Sequence, residues 1–215
     1  PAPNTFLTGA FNVSSNAVVD IERGATILGS TCGEDWPLLV AANVWPQFGH
    51  GSDCVPGTES CRLMHQSLVF ARDARNVTVR GGGVLDCNAQ PGTWWRCAKN
   101  LSEPPCSGYA RPHCAMFSNT SVVEVASITV RNSPDWTLHF SGCSDVHVHH
   151  LTVTNPLAPN ADGIDIDSSE RVLVEDNYFS VGDDALCVKS GIDYFGRLAA
   201  LPARETRCIE AALLW

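Results

Sequence analysis

The feature that most restricts this chain is a repeat in its second half. The segments SITVRNSPDWTLHFSGC (127–143), DVHVHHLTVTNPLAPNADGIDID (145–167) and RVLVEDNYFSVGDDALCVKSG (171–191) share one pattern. Each has a V-x-V-type strand, a short polar turn, a second strand, a loop and a third strand. Comparable points on the third strands are Leu138, Ile164 and Leu186, separated by 26 and 22 residues. Several short strands in a period of that size predict a β-solenoid, in which each coil buries its apolar face only by stacking on its neighbours. Alternation with period 2 places Val146, Val148, Ile164, Ile166, Val172, Val174, Leu186 and Val188 inside. No segment sustains a helical period, and Asn-Gly hairpin turns are absent, which argues against an antiparallel sandwich. The fold class expected is therefore all-β, a parallel β-helix.

A weaker copy, SLVFARDARNVTVRGGGVLDCN (67–88), precedes these, with Gly81–Gly83 marking a tight bend. Residues 44–62 and 88–118 break the period and read as Cys-rich insertions into a partial β-helix domain spanning 1–197. Residues 198–215 read as a divergent tail. Ten cysteines with no paired C-x-x-C spacing point to disulfides and an oxidising compartment. Four N-x-[ST] sequons, at Asn12, Asn76, Asn100 and Asn119, agree with secretion and glycosylation. The expected location is extracellular, at the cell wall. A net charge of −9 argues against nucleic acid as a partner, and no apolar run is long enough to span a membrane.

Carboxylates concentrate where the repeat is clearest. With Ile164 and Ile166 inward, Asp165 and Asp167 point outward. Asp162 lies in the turn entering that strand, and Asp183 and Asp184 lie in the equivalent turn one coil later. Strands on neighbouring coils sit about 4.8 Å apart, so Asp162, Asp183 and Asp184 converge on one patch. Crowded carboxylates raise one another's pKa, and one can stay protonated while its neighbours ionise. Glycoside hydrolysis needs that division between a general acid and a base. A single Asp in a turn more often caps its own backbone. Calcium is a competing use of clustered carboxylates, but the D-x-[DN]-x-[DN]-G loop spacing is absent.

NADGIDIDSS followed by GDDALCVKSG resembles the paired motifs of the polygalacturonases, pectin-cleaving glycoside hydrolases built on a right-handed β-helix. GGGVLDCNAQPGTWW, RPH (111–113) and DYFGR (193–197) are similar to further family segments. The resemblance implies hydrolysis, with inversion, of α-1,4-galacturonosyl bonds in pectic polysaccharides, by a monomer with no cofactor or metal. It casts Asp183 as the general acid and Asp162 with Asp184 as the holders of the attacking water. A water between acid and base typically separates their carboxyls by about 6.5–9.5 Å. Asn160 would support the acid turn, and Lys189 would either face a uronate carboxylate or stand as a solvated surface lysine.

Departures accompany the match. Ala161 replaces the family's usual Thr. The family's later G-H-G or S-G-I-A motif and its R-I-K-type basic patch would fall after Arg197 and are not found there. The expectation is a solenoid incomplete at its C-terminal end, with little activity of its own. Rival readings are a calcium-dependent pectate lyase-like enzyme and a non-catalytic carbohydrate-binding β-helix. HVHH (147–150) puts His147 and His149 on one outward face, where exposed histidines are expected because no further ligand motif lies nearby. Trp94 and Trp95 are expected to pack the insertion's own core, Trp136 a core or corner position. Cys143 and Cys187 are expected to be buried thiols or halves of a disulfide.

Overall fold

The computed structural model describes residues 4–39, 63–190, 200–209 and 212–213. The first Cys-rich insertion and DYFGR lie outside the described residues.

Strand β1 (Thr5–Thr8) leads into β2 (Phe11–Asn12), β3 (Ala17–Asp20) and β4 (Thr26–Gly29). A short antiparallel pair, β5 (Leu38–Leu39) and β6 (Met64–His65), follows. The next coil is β7 (Val69–Arg72), β8 (Arg75–Arg80) and β9 (Val84–Asp86). Beyond the second insertion come β10 (Ala115–Ser118), β11 (Ser121–Ala126) and β12 (Thr129–Arg131), then β13 (Leu138–Ser141), β14 (Ser144–His149) and β15 (Thr152–Asn155). Two further turns are β16 (Ile164–Asp167), β17 (Glu170–Glu175) and β18 (Tyr178–Val181), then β19 (Leu186–Lys189), β20 (Arg204–Ile209) and β21 (Ala212–Leu213).

These strands form three parallel sheets. Sheet I orders as β2-β7-β10-β13-β16-β19, sheet II as β3-β8-β11-β14-β17-β20, and sheet III as β1-β4-β9-β12-β15-β18-β21. Every coil visits the sheets in the same order, which makes a parallel β-helix, and its crossovers have the right hand that parallel connections take. The repeat seen in the sequence is the coil: Leu138 pairs with Ile164, and Ile164 with Leu186. Val146, Val148, Ile164, Ile166, Val172 and Val174 are buried as alternation requires. Val188 departs from the pattern at 54% exposed, because β19 is the edge of sheet I among the described residues.

Left-handed backbone makes the corners. Ser127, His150 and Asp176 take positive φ between sheets II and III, and Asn76, Val122, Asp145, Arg171 and Glu205 bend the sheet II strands at matching positions. Buried asparagines satisfy corner backbone inside the stack. Asn177 accepts from Leu151 N at 2.9 Å and donates to Val148 O at 3.0 Å.

The second insertion is narrower than the sequence suggests, because 115–118 is β10. Disulfides Cys87–Cys114 and Cys97–Cys106 staple it. Trp94 is fully buried against Trp36 and His65, and Trp95 donates its indole N–H to Ser133 O, so both tryptophans serve packing. Asn12, Asn76, Asn100 and Asn119 are all exposed. Residues 204–213 also differ from the expected divergent tail. Strand β20 pairs in parallel with β17, and β21 with β18, so this segment continues the stack.

Candidate active site

The acids are set in place by backbone hydrogen bonds between coils. Thr137 N donates to Asp162 O at 2.9 Å, and Gly163 N donates to Asp184 O at 2.8 Å. The turn bearing Asp162 is thus clamped between the coil before it and the coil carrying Asp183 and Asp184. Two glycines permit the close approach. A Cβ on Gly163 would lie 2.4 Å from Ala185 O, and one on Gly182 would lie 2.2 Å from Ala158 O.

One carboxylate oxygen from each of Asp162, Asp183 and Asp184 lies within 4.8 Å of the others. The wider separation of about 6.5–9.5 Å is therefore not present at the nearest oxygens, because strand-to-strand hydrogen bonding sets the gap. Asp162 is buried, while Asp183 and Asp184 are exposed. Burial pushes the Asp162 carboxyl up to about 6; Lys189 pulls it down, and Asp183 and Asp184 add to the rise. Asp162 is the deepest of the three, and its burial rather than the crowding of its neighbours is the main cause of that rise.

Beneath the acids lies a polar layer on the outer side of sheet I. In register, His139 pairs with Asp165 and Asp165 with Cys187. Asp165 and Asp167 do point away from the solenoid interior, yet both are fully buried. They form the floor of the site rather than exposed walls. Burial pushes the Asp165 carboxyl up, against the pull of the Lys189 ammonium that donates to it. Lys189 also sits 4.2 Å over the Trp136 ring, with its side chain 18% exposed. It is neither a solvated lysine nor free of protein partners, and Asp165 holds its pKa up although burial works against the charge.

Trp136 is buried, but it packs with Leu39, Met64, Phe70 and Met116 outside the solenoid interior. His113 stacks on it at 5.0 Å, and His139 meets both rings edge-on. Cys143 is a buried free thiol. Cys187 is free as well, but it lies on the site face and donates to Asp184 Oδ2 at 3.1 Å.

Arg111, within the RPH segment, organises the adjoining loops and was not singled out by the sequence reading. Its guanidinium donates to Pro134 O at 2.8 Å, Pro159 O at 2.7 Å and Asn160 Oδ1 at 2.8 Å, and pairs with buried Asp135 at 3.2 Å. Asn160, exposed and left-handed at φ 57°, is tied to the site through this arginine. The sequence offered RPH as a segment similar to the family's but not the contacts of its arginine, because the partners lie 23 to 49 residues away.

Comparison with known proteins supplies the family. A "Probable polygalacturonase" of Vitis vinifera is 29% identical over 202 residues, covering 93% of this chain and 38% of the relative. A "Polygalacturonase" of Persea americana is 32% identical over 121 residues, 55% of this chain and 25% of the relative. The crystal structure of a hyperthermoactive exopolygalacturonase from Thermotoga maritima superposes with a TM-score of 0.78 at 24% identity, covering 98% of this chain and 50% of that one. The chain therefore spans half or less of the length of these proteins, and at that identity the superposition speaks for the fold. The model of the glycosyl hydrolases family 28 matches residues 57–199, both acid turns included, and the chain belongs to that family.

Proposed function

We propose that this chain carries the acid half of a hydrolase acting on α-1,4-galacturonosyl bonds of pectic polysaccharides. The observation that carries the reading is the convergence of Asp162, Asp183 and Asp184 from two stacked turns, within a family 28 chain. Relatives named polygalacturonases supply the substrate class.

Asp183, exposed at the rim, donates a proton to the glycosidic oxygen. Asp162 and Asp184 hold a water between them, and Asp162 takes its proton. A water bonded at about 2.8 Å to each of two oxygens bridges up to roughly 5.6 Å, so an oxygen gap within 4.8 Å suits one shared water. Attack by that water gives a first product of inverted anomeric configuration, as the resemblance to the polygalacturonases implies. Asn160 is a positioning residue, and Lys189 acts on substrate only if a uronate draws it from Asp165. Exposed sequons and two disulfides support a secreted, glycosylated protein, and no helix among the described residues is long and apolar enough to cross a membrane.

Reducing-end release from polygalacturonate by the purified protein, set beside Asp183→Asn, tests the reading. A fall of about 10²–10⁴-fold with the fold retained is expected. Equal rates, both above the rate without protein, would remove Asp183 from the chemistry. Unsaturated, chelator-sensitive products would mean that the acids hold calcium for a lyase. Proton NMR of the first anomer formed tests inversion separately.

A further inference from the structure

On the far side of the solenoid from the acids, sheet II brings together side chains that no strand holds alone. Glu124 on β11 lies in register with His147 on β14, and His149, two residues along, lies in register with Glu175 on β17. The contacts run diagonally, one across each of the two strand gaps. His147 Nε2 is 2.8 Å from Glu175 Oε1, and His149 Nε2 is 3.3 Å from Glu124 Oε1. The two imidazoles are 4.1 Å apart between centroids, and one donor atom from each of Glu124, His147 and His149 lies within 4.8 Å of the others.

We propose that Glu124, His147, His149 and Glu175 form a binding site for a divalent cation of the Zn²⁺ class, linking three successive coils across sheet II. Two imidazoles with carboxylates are a borderline donor set, suited to Zn²⁺ and poorly suited to Ca²⁺. Bonds of about 2.0–2.1 Å in a tetrahedron need donors roughly 3.3 Å apart. The His149–Glu124 pair already stands at that spacing; His147 Nε2, now 2.8 Å from Glu175 Oε1, would give up the hydrogen-bond proton on binding the cation, and the partly exposed side chains have room to close the rest.

A neighbouring side chain anchors the far nitrogen of His149. His149 Nδ1 lies 2.8 Å from His150 Nδ1, so its Nε2 is the nitrogen turned toward the Glu124 carboxylate. Metal-bound histidines ordinarily have the other ring nitrogen anchored in this way. The second Glu124 oxygen is steadied in turn by Thr78 Oγ1 on β8, at 3.5 Å. Histidines alternating on one strand show only half of this site in the sequence, since both acids come from neighbouring coils.

Calorimetric titration of the metal-free protein with ZnCl₂ tests the proposal, using His147→Ala/His149→Ala, Glu124→Gln and Asp162→Asn/Asp184→Asn as comparisons. One equivalent should bind the unaltered protein and the Asp variant alike. Binding should weaken at least tenfold in Glu124→Gln and disappear in the His variant. Zn²⁺ should raise the melting temperature of the unaltered protein, with CaCl₂ giving no such shift through these residues. Should the His variant fail to fold, the near-isosteric Glu124→Gln decides. No binding to the unaltered protein, or equal binding in Glu124→Gln, would overturn the site. Loss of binding only in the Asp variant would overturn it too, by moving the cation to the acids.

Discussion

Gly163 N donates to Asp184 O at 2.8 Å, so the turn that carries one acid is bonded directly to the turn that carries the other two. The site is therefore a property of coil stacking, and backbone changes at this contact should be felt both as lost stability and as lost geometry.

Gly163→Ala is the sharpest case. Its Cβ would meet Ala185 O at 2.4 Å and the Phe179 ring at 2.7 Å, neither able to yield without moving a coil. We expect a loss of about 1–3 kcal/mol by urea unfolding. An unchanged denaturation midpoint would show that the turns are not in close contact.

Asp162 makes stability depend on pH in a defined direction. Its folded pKa, about 6, lies above the ordinary 3.8, so the folded state binds the proton more tightly. Stability attributable to this group is fully present below pH 3.8 and is lost as pH rises through about 6, by at most about 3 kcal/mol. Unfolding curves for Asp162→Asn should fall less over that window than those of the unaltered protein. Parallel curves would place the carboxyl in an environment close to water.

Arg111→Met should cost about 3–5 kcal/mol, since it removes the guanidinium paired with buried Asp135 and frees the carbonyls of Pro134 and Pro159. Arg111→Lys keeps the charge but not the fork, and should fall between the two in a thermal melt. Equal melting of Met and Lys variants would reduce the arginine to a packing role.

Val122 holds φ 56° at a bend where the equivalent residues include Asn76 and Asp145. A β-branched residue is poorly suited to left-handed backbone, and Asn tolerates it. Val122→Asn should therefore stabilise the protein by about 1 kcal/mol. A lower melting temperature would mean that the half-exposed valine contributes more by packing than its backbone costs.

The sequence was most informative where alternation and repeat length agree. Leu138, Ile164 and Leu186 were aligned correctly because inward residues on successive coils must face one another. The convergence of the three acids followed from the same register. The pattern was lost at β20, where inward-facing Thr206 and Cys208 stand opposite Val172 and Val174 and weaken the apolar signal. The burial of Asp165 and Asp167 was not legible either. A strand's outward face reads as solvent until something covers it, and here Lys189, from the next coil, lies on Asp165 and is itself held over Trp136. The Glu124–His149 and Arg111–Asn160 contacts have the same character, each joining residues far apart in the chain.

The coil-to-coil ladder acts as a ruler. The separation of Asp162 from Asp183 and Asp184 is fixed by one strand spacing, which core side chains can neither stretch nor compress by small steps. Variation in this scaffold can redesign the walls, the floor and the loops, as the 87–114 excursion already does, while the distance between the acids stays quantised. New specificities on such a frame would arise by changing what surrounds the acids, not how far apart they stand.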